Sequence, residues 1–273
     1  AFRARDPGSN PGGSTNFLIL FIKHYIYAIL CLIMSSIGIV GIGTVGAAIL
    51  KVMRKQYDTR FFDIDGRGDF EGVLTAEVIF VCVPTDGRKD NGLDISNVDE
   101  VIFRLYENKY EGLVIIKSTL SVGSMKTLIE KYPLRLCYMP EFMRERDAVE
   151  WFLNPDRLVI SGSEKDVEEA LSLFKWVPEN VPRMKMNHCE AEMGKLAHNA
   201  FIATKVTFTC EIERICKEQN IDPDVVMEVV WRDRRIGNSA HLRPNLGGFA
   251  GKCVPKDTRA LRRIDPNTDK ESL

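Results

Sequence analysis

The sequence predicts an α/β protein: a doubly wound parallel sheet followed by an all-helical domain built on one long helix. Three observations carry that expectation. Short, continuous apolar runs alternate with helix-patterned segments, as strands buried on both faces require. A glycine-rich turn, Gly41-Ile-Gly43-Thr-Val-Gly46, joins the first run to an amphipathic stretch. Residues 189–219 contain no proline and only Gly194, with apolar positions at helical spacing.

Composition narrows the function classes. At 273 residues the chain holds one large domain or two modest ones. Its 45% hydrophobic and 27% charged content excludes wholesale disorder. Lys+Arg 37 against Asp+Glu 38 gives a formal charge of -1, so no global basic field attracts nucleic acid. The seven cysteines are odd in number and form no CxxC pair, which points to reduced thiols, a cytoplasmic setting and no structural metal site.

The elements follow in chain order. Residues 1–16 are rich in Gly, Pro, Ser and Arg and are expected to be disordered. Residues 17–34 are mostly apolar, but Lys23 and His24 interrupt them, and a charge at bilayer depth costs at least ~2.5 kcal/mol. No A-x-A cleavage site follows, and the first methionine is Met34. Residues 1–33 are therefore read as a mis-assigned upstream extension; if translated, the apolar run is a peripheral-membrane candidate. Strands are expected at Ile37–Gly41, Arg60–Asp63, Glu77–Val83, Leu113–Lys117, Leu134–Tyr138 and Arg157–Ser161, with helices at Thr44–Lys55, Ile95–Glu107, Val122–Lys131 and Lys165–Trp176. The link from Asp63 to Glu77 is short for a crossover helix, so the sheet is expected to be trimmed there. The character changes after Pro182: the long helix leads to a second over residues 222–231, capped by Asp222 with Pro223 in its first turn. A Gly/Pro-rich loop and a short helical piece to about Arg263 complete the chain. The expected division is thus 34–182 and 183–273.

The glycine turn has the setting of a Rossmann-type dinucleotide site. It follows a strand, opens a helix, and Asp63 ends the next strand. Gly41 and Gly43 let the backbone turn and approach a pyrophosphate, and Gly46 allows close helix–strand packing. The amides around Thr44 and Val45, at the helix N-terminus, favour the anion. Asp63 suits an unmodified ribose and repels a 2′-phosphate, so NAD is favoured over NADP, although Arg60 and Arg67 stand nearby. A bare structural turn would show the same glycines without this context.

In the second half, Lys195 and Asn199 share a helix face, with Glu192 one turn earlier. Buried, such a pair stabilises an oxyanion; exposed, it is an ordinary solvated face. Cys253 lies in GGFAGKCVPKD, where Lys252 and Lys256 favour a thiolate. Cys82, Cys210 and Cys216 lie on apolar elements and are read as packing residues.

Read in order, GIGTVG, VCVPTD, IIKSTLSVGS, MPEFMRE, NPDRLVISG, EAEMGKLAHNAF, RRIGN and GGFAGKCVPKDTRAL span Ile37 to Leu261. Over this stretch the chain resembles the UDP-glucose/GDP-mannose dehydrogenase family, NAD-dependent four-electron oxidants of nucleotide sugars. The resemblance implies Cys253 as nucleophile, with Lys195, Asn199 and Asp257 as its polar catalytic group. It implies Thr119 and Glu141 as residues that position or activate water. Thr85, Thr119 and Glu145 match cofactor contacts. Glu141, Lys195, Asn199, Arg235 and Gly248 match the substrate site. It further implies oxidation of a C6 alcohol to a uronic acid through a thiohemiacetal and a thioester, with two NAD per sugar; the long helix itself suggests the seam of a homodimer.

The chain departs from the family pattern at Met139, where asparagine is usual, and at Ser121, Arg146 and Ala250. The C-terminal substrate-binding domain of full-length members is expected to be absent, and the sugar is left open among UDP-glucose, UDP-N-acetylmannosamine and GDP-mannose. Two other readings compete: a two-electron β-hydroxyacid-type dehydrogenase, which leaves Cys253 unexplained, and an NAD-binding remnant without turnover.

Overall fold

The computed structural model describes residues 36–249 and 253–264; the expectations for residues 1–33, and for the apolar run 17–34, lie outside them. Strands β1 (Ser36–Val40), β2 (Asp58–Phe62), β3 (Val78–Val81), β4 (Leu113–Ile116) and β5 (Arg135–Tyr138) form a five-stranded sheet in the order β2-β1-β3-β4-β5, every pairing parallel. Successive residues point to opposite faces and both faces are covered, which is why the runs are uninterruptedly apolar. Ile37, Ile39, Val78, Phe80, Leu113 and Ile115 pack on one side against Ile49 and Met53 of α1 (Thr44–Met53). Val40, Ile79, Val81, Val114 and Ile116 pack on the other against α3 (Ser96–Glu107) and α4 (Ser124–Lys131). Because β2 and β3 flank β1 on opposite sides, the strand order reverses there, and the crevice beyond the C-terminal ends of β1 and β3 is the natural ligand site.

Two expectations are corrected. The sheet is not trimmed between Asp63 and Glu77: the five-residue helix α2 (Phe70–Leu74), capped by Asp69, makes the crossing, which spans only β1. The strand expected at Arg157–Ser161 does not extend the parallel sheet. Its core, β6 (Leu158–Ile160), pairs in parallel with β7 (Arg183–Lys185) in a separate two-stranded ladder, and reaches β5 through an antiparallel Tyr138–Ser161 bridge. An antiparallel neighbour starts where β5 ends. The intervening segment, with a 3₁₀ turn (Glu145–Asp147) and α5 (Ala148–Leu153), therefore stays at the sheet's C-terminal edge.

Helix α6 (Glu164–Ser172) ends earlier than the pattern suggests, because Phe174 and Trp176 turn inward to stack with Phe152. The long helix, α7 (His188–Glu218), runs 31 residues and opens with a capping box between Asn187 and Glu190. Helix α8 (Pro223–Arg232) is capped by Asp222, and α9 (Val254–Ile264) packs along α7. Among the described residues no helix is long and apolar enough to cross a membrane.

Candidate active site

The glycine turn lies in the β1–β3 crevice. Gly41 has φ +89, and a Cβ there would meet the Cys82 backbone at 2.9 Å. A Cβ on Gly46 would stand 1.9 Å from the Gly41 carbonyl oxygen, so α1 seats on the turn only with glycine at this place. Gly43 differs: a Cβ there meets nothing within 4 Å, leaving an open face over the loop. Gly43 also precedes α1 without a side-chain cap, so the first amides of the helix, Thr44, Val45 and Gly46, are left for an anion. Asp63 leaves β2 with its Oδ2 accepting from the Ile42 N–H at 2.5 Å and its Oδ1 from the Asp65 N–H at 3.2 Å. The carboxylate is thereby fixed against the turn, with the Arg67 guanidinium 3.7 Å away. Thr85 is buried just after β3. An open loop face, uncapped amides and a fixed carboxylate fit the pyrophosphate and ribose of NAD.

Cys82, half-buried beneath this turn, is a packing thiol that desolvation pushes up to about 12. Cys216 is buried and Cys210 half-buried on α7.

A second group forms where α7 and α9 meet the sheet edge. Lys195 and Asn199 are buried on one face of α7, and Asp257 on the first turn of α9 is 0% exposed. The Asn199 Nδ2 donates to Asp257 Oδ2 at 2.6 Å, and Lys256 Nζ pairs with Asp257 Oδ1 at 2.7 Å. Lys195 Nζ donates to the backbone carbonyl of Glu141. The Glu141 carboxylate pairs with buried Lys117 at 2.9 Å and accepts from the Phe142 and Met143 amides at 2.8 and 3.0 Å. Each buried charge thus has a partner, without which its desolvation would cost several kcal/mol, roughly. Burial pulls the Lys195 ammonium below the ordinary lysine value, while Asp257, Glu141 and Cys253 pull it back. Cys253 is exposed, directly before α9, and its carbonyl accepts the Asp257 N–H at 3.1 Å. The thiol therefore stands at the positive end of that helix, within electrostatic reach of Lys195.

The structure also brings in residues with no assigned part in the sequence reading. Lys117 directly follows the apolar strand β4 and is buried, and a lysine at the end of such a run was the signal available. His198 sets its Nδ1 3.0 Å from Asn199 Oδ1 and packs edge-on against Phe142. Other expected residues stand apart. Thr119 is half-buried in the turn after β4, and Glu145 is exposed at the start of the 3₁₀ turn. Arg235 is exposed and bound to Asp233 at 2.6 Å, and Gly248 has φ +90 in an exposed loop. Among the described residues, neither Arg235 nor Glu145 bonds to the buried group.

The sequence profile of the UDP-glucose/GDP-mannose dehydrogenase family, NAD binding domain, matches residues 49–176, and that of the family's central domain matches residues 189–271. The chain belongs to the UDP-glucose/GDP-mannose dehydrogenase family. It therefore carries the family's NAD-binding domain, and NAD is its cofactor. A UDP-glucose 6-dehydrogenase of Bacillus subtilis is 33% identical over 220 residues, 75% of this chain and 49% of that protein. The chain spans about half the length of the curated relatives it matches. Among solved structures, a UDP-glucose dehydrogenase from Pyrobaculum islandicum superposes with a TM-score of 0.74 at 26% identity, covering 85% of this chain and 64% of that one. A ternary complex of GDP-mannose dehydrogenase from Pseudomonas aeruginosa gives 0.65 at 25%, covering 86% and 65%.

Proposed function

We propose that this family member oxidises the C6 alcohol of a nucleotide sugar, of the UDP-glucose type, to the uronic acid. The single observation that carries the reading is the shared burial of Lys195, which binds the Glu141 carbonyl and feels the charges of Asp257 and Cys253, with the bonded pair Asn199–Asp257. Two-electron dehydrogenation needs no thiol; a Cys at a helix N-terminus next to a buried ammonium suits a covalent step.

NAD, held by Gly41, Gly43, Gly46, Asp63, Thr85 and Glu145, supplies the electron acceptor, two equivalents per sugar. In the first oxidation the hydroxyl gives its proton to water and C6 gives up a hydride to the acceptor, while Lys195 and Asn199 stabilise the developing oxyanion. The Cys253 thiolate then adds to the aldehyde carbon, and the carbonyl oxygen, now an oxyanion, is held by the same two side chains. Loss of the second hydride turns this thiohemiacetal into a thioester. Water, oriented by Thr119 and deprotonated with help from Asp257 or Glu141, attacks the thioester, and the thiolate leaves as the C–S bond breaks. Arg235 and Gly248 complete the substrate site in this reading.

Phe201, Phe208 and Ile215 recur every seventh residue along α7 and are 64%, 46% and 42% exposed. This stripe is the surface through which we propose that the chain forms a homodimer. Sedimentation of the parent and of Phe208→Asp tests it; a monomeric parent refutes it.

The activity test is NADH formation with a panel of nucleotide sugars, with NAD binding measured separately. Two NADH per sugar support the reading and one assigns the two-electron class. NAD binding without any turnover makes the chain a binding module.

A further inference from the structure

Glu192 has no part in the chemistry above, yet its side chain is fully buried, at 0% exposed. A buried carboxylate is tolerated for the partners it satisfies. Its Oε2 accepts from the Gly123 N–H and its Oε1 from the Met125 N–H, both at 2.7 Å. These are amides at the start of α4. Gly123 enters that helix with φ +91 and offers no side chain to cap it. Helix α7 therefore provides, from 69 positions away, the acceptor that a Ser, Thr, Asp or Asn usually provides locally.

The two elements joined in this way carry groups of the proposed site. The turn from Thr119 to Gly123 leads out of β4 into α4, and Lys195 and Asn199 follow Glu192 on the same face of α7. Tyr138 lies between them: its buried hydroxyl accepts the Leu120 N–H at 3.4 Å and feels the charges of both Glu192 and Asp257. A local cap would satisfy the helix but would leave the turn free to shift against α7.

We propose that Glu192 is a positioning residue that locks the Thr119 turn to the Lys195–Asn199 face, so that the water-positioning and oxyanion-stabilising groups keep one geometry. Its catalytic consequence rests on the dehydrogenase reading; the lock itself does not.

Glu192→Gln tests it. The amide keeps the shape but has one acceptor oxygen for two N–H groups, so one donor is left facing an NH₂. Three measurements are made on the full chain: NAD affinity by fluorescence titration, steady-state kinetics on the sugar the parent oxidises, and hydrogen exchange over residues 119–125. The expected result is an NAD Kd within about twofold and a KM within about threefold of the parent. The kcat should fall about 10- to 100-fold, since small misplacements are costly in rate. Exchange at Gly123 and Met125 should accelerate about tenfold or more and spread to Thr119. Glu192→Asp, which keeps both oxygens on a shorter arm, should recover part of kcat, and it replaces the glutamine variant if that one does not fold. A lowered melting temperature with parental kcat per folded molecule means that Glu192 is only structural and overturns the proposal, as does parental exchange. If the parent oxidises no nucleotide sugar, the dehydrogenase reading fails by itself and exchange decides: acceleration reaching Thr119 supports the lock, and acceleration confined to 123–125 overturns it.

Discussion

The glycine turn and the buried group around Asp257 lie on the same protein but are built over very different lengths of chain. The turn is closed by a bond between residues 21 positions apart, Ile42 and Asp63, just beyond the ends of the adjoining strands β1 and β2. The second group is closed by bonds spanning 54 positions, Lys195 to Glu141, and 58 positions, Asn199 to Asp257. The turn works mainly through backbone amides, which no side-chain change removes. The group on α7 and α9 works through buried side chains whose charges hold one another in place. Damage to the first should therefore weaken binding at a smaller cost to the fold, whereas damage to the second should couple activity to stability.

The sharpest break between the regions is expected from Cys253→Ser. The thiol is exposed and packs little, so NAD binding and melting temperature should stay at parental values. Turnover to uronic acid should fall by more than about 10³-fold, because a serine hydroxyl without a base is a poor nucleophile. Uronic acid made at the parental rate would end the covalent mechanism.

Asp257→Ala should show the coupling. It strands buried Asn199 and half-buried Lys256, and removing one partner of a buried pair costs about 3–5 kcal/mol. Urea unfolding measures it. A loss below about 1 kcal/mol, the range of exposed pairs, would mean the group is not the mutually compensated unit described here.

Asp63→Ala makes the contrasting test. It should weaken NAD by about 1–3 kcal/mol and narrow the preference over NADP. Leaving the Ile42 N–H without its acceptor should lower unfolding stability by about 1–3 kcal/mol, less than Asp257→Ala does. Isothermal titration with both cofactors checks it. Equal affinities in parent and variant would remove Asp63 from the ribose.

The smallest effect concerns pH. Burial holds His198 below the ordinary histidine value of 6.5, with Lys195 and Arg157 acting in the same direction and the Asn199 bond opposing. The folded state thus favours the neutral ring. Its contribution is complete above 6.5 and is lost as pH falls through the lowered folded value. The parent should lose more stability on acidification than His198→Gln, measured by urea midpoints on either side of this window. Parallel losses would show that the ring does not titrate in that sense.

These contrasts match what could be read before any packing was known. The long helix, expected over 189–219, runs from His188 to Glu218, since periodicity and the Asn187–Glu190 capping box lie in contiguous residues. The glycine turn was legible because each glycine answers a local backbone demand, as Gly41 and Gly46 show. The partner of β6 and its direction relative to β5 were not, because an apolar run such as Leu158–Ile160 states neither. Lys195 and Asn199 were legible as sharing a face, but a solvated face has the same spacing. Burial distinguishes the two, and burial depends on α9.

The sequence by itself determined the alternation of strands and helices, the glycine turn with Asp63 at the next strand's end, and the Asp222 cap of α8. These follow from backbone preferences and hydrophobic periodicity over a few neighbouring residues. Tertiary structure alone decided that Lys117 pairs with Glu141, that His198 meets Asn199, and that Glu192 caps a helix far away in the chain. The partner of Glu192 is a pair of backbone amides, and amides are the same in every residue except proline. No residue code marks them, so only the packing of α7 against the sheet edge could select which two the carboxylate would meet.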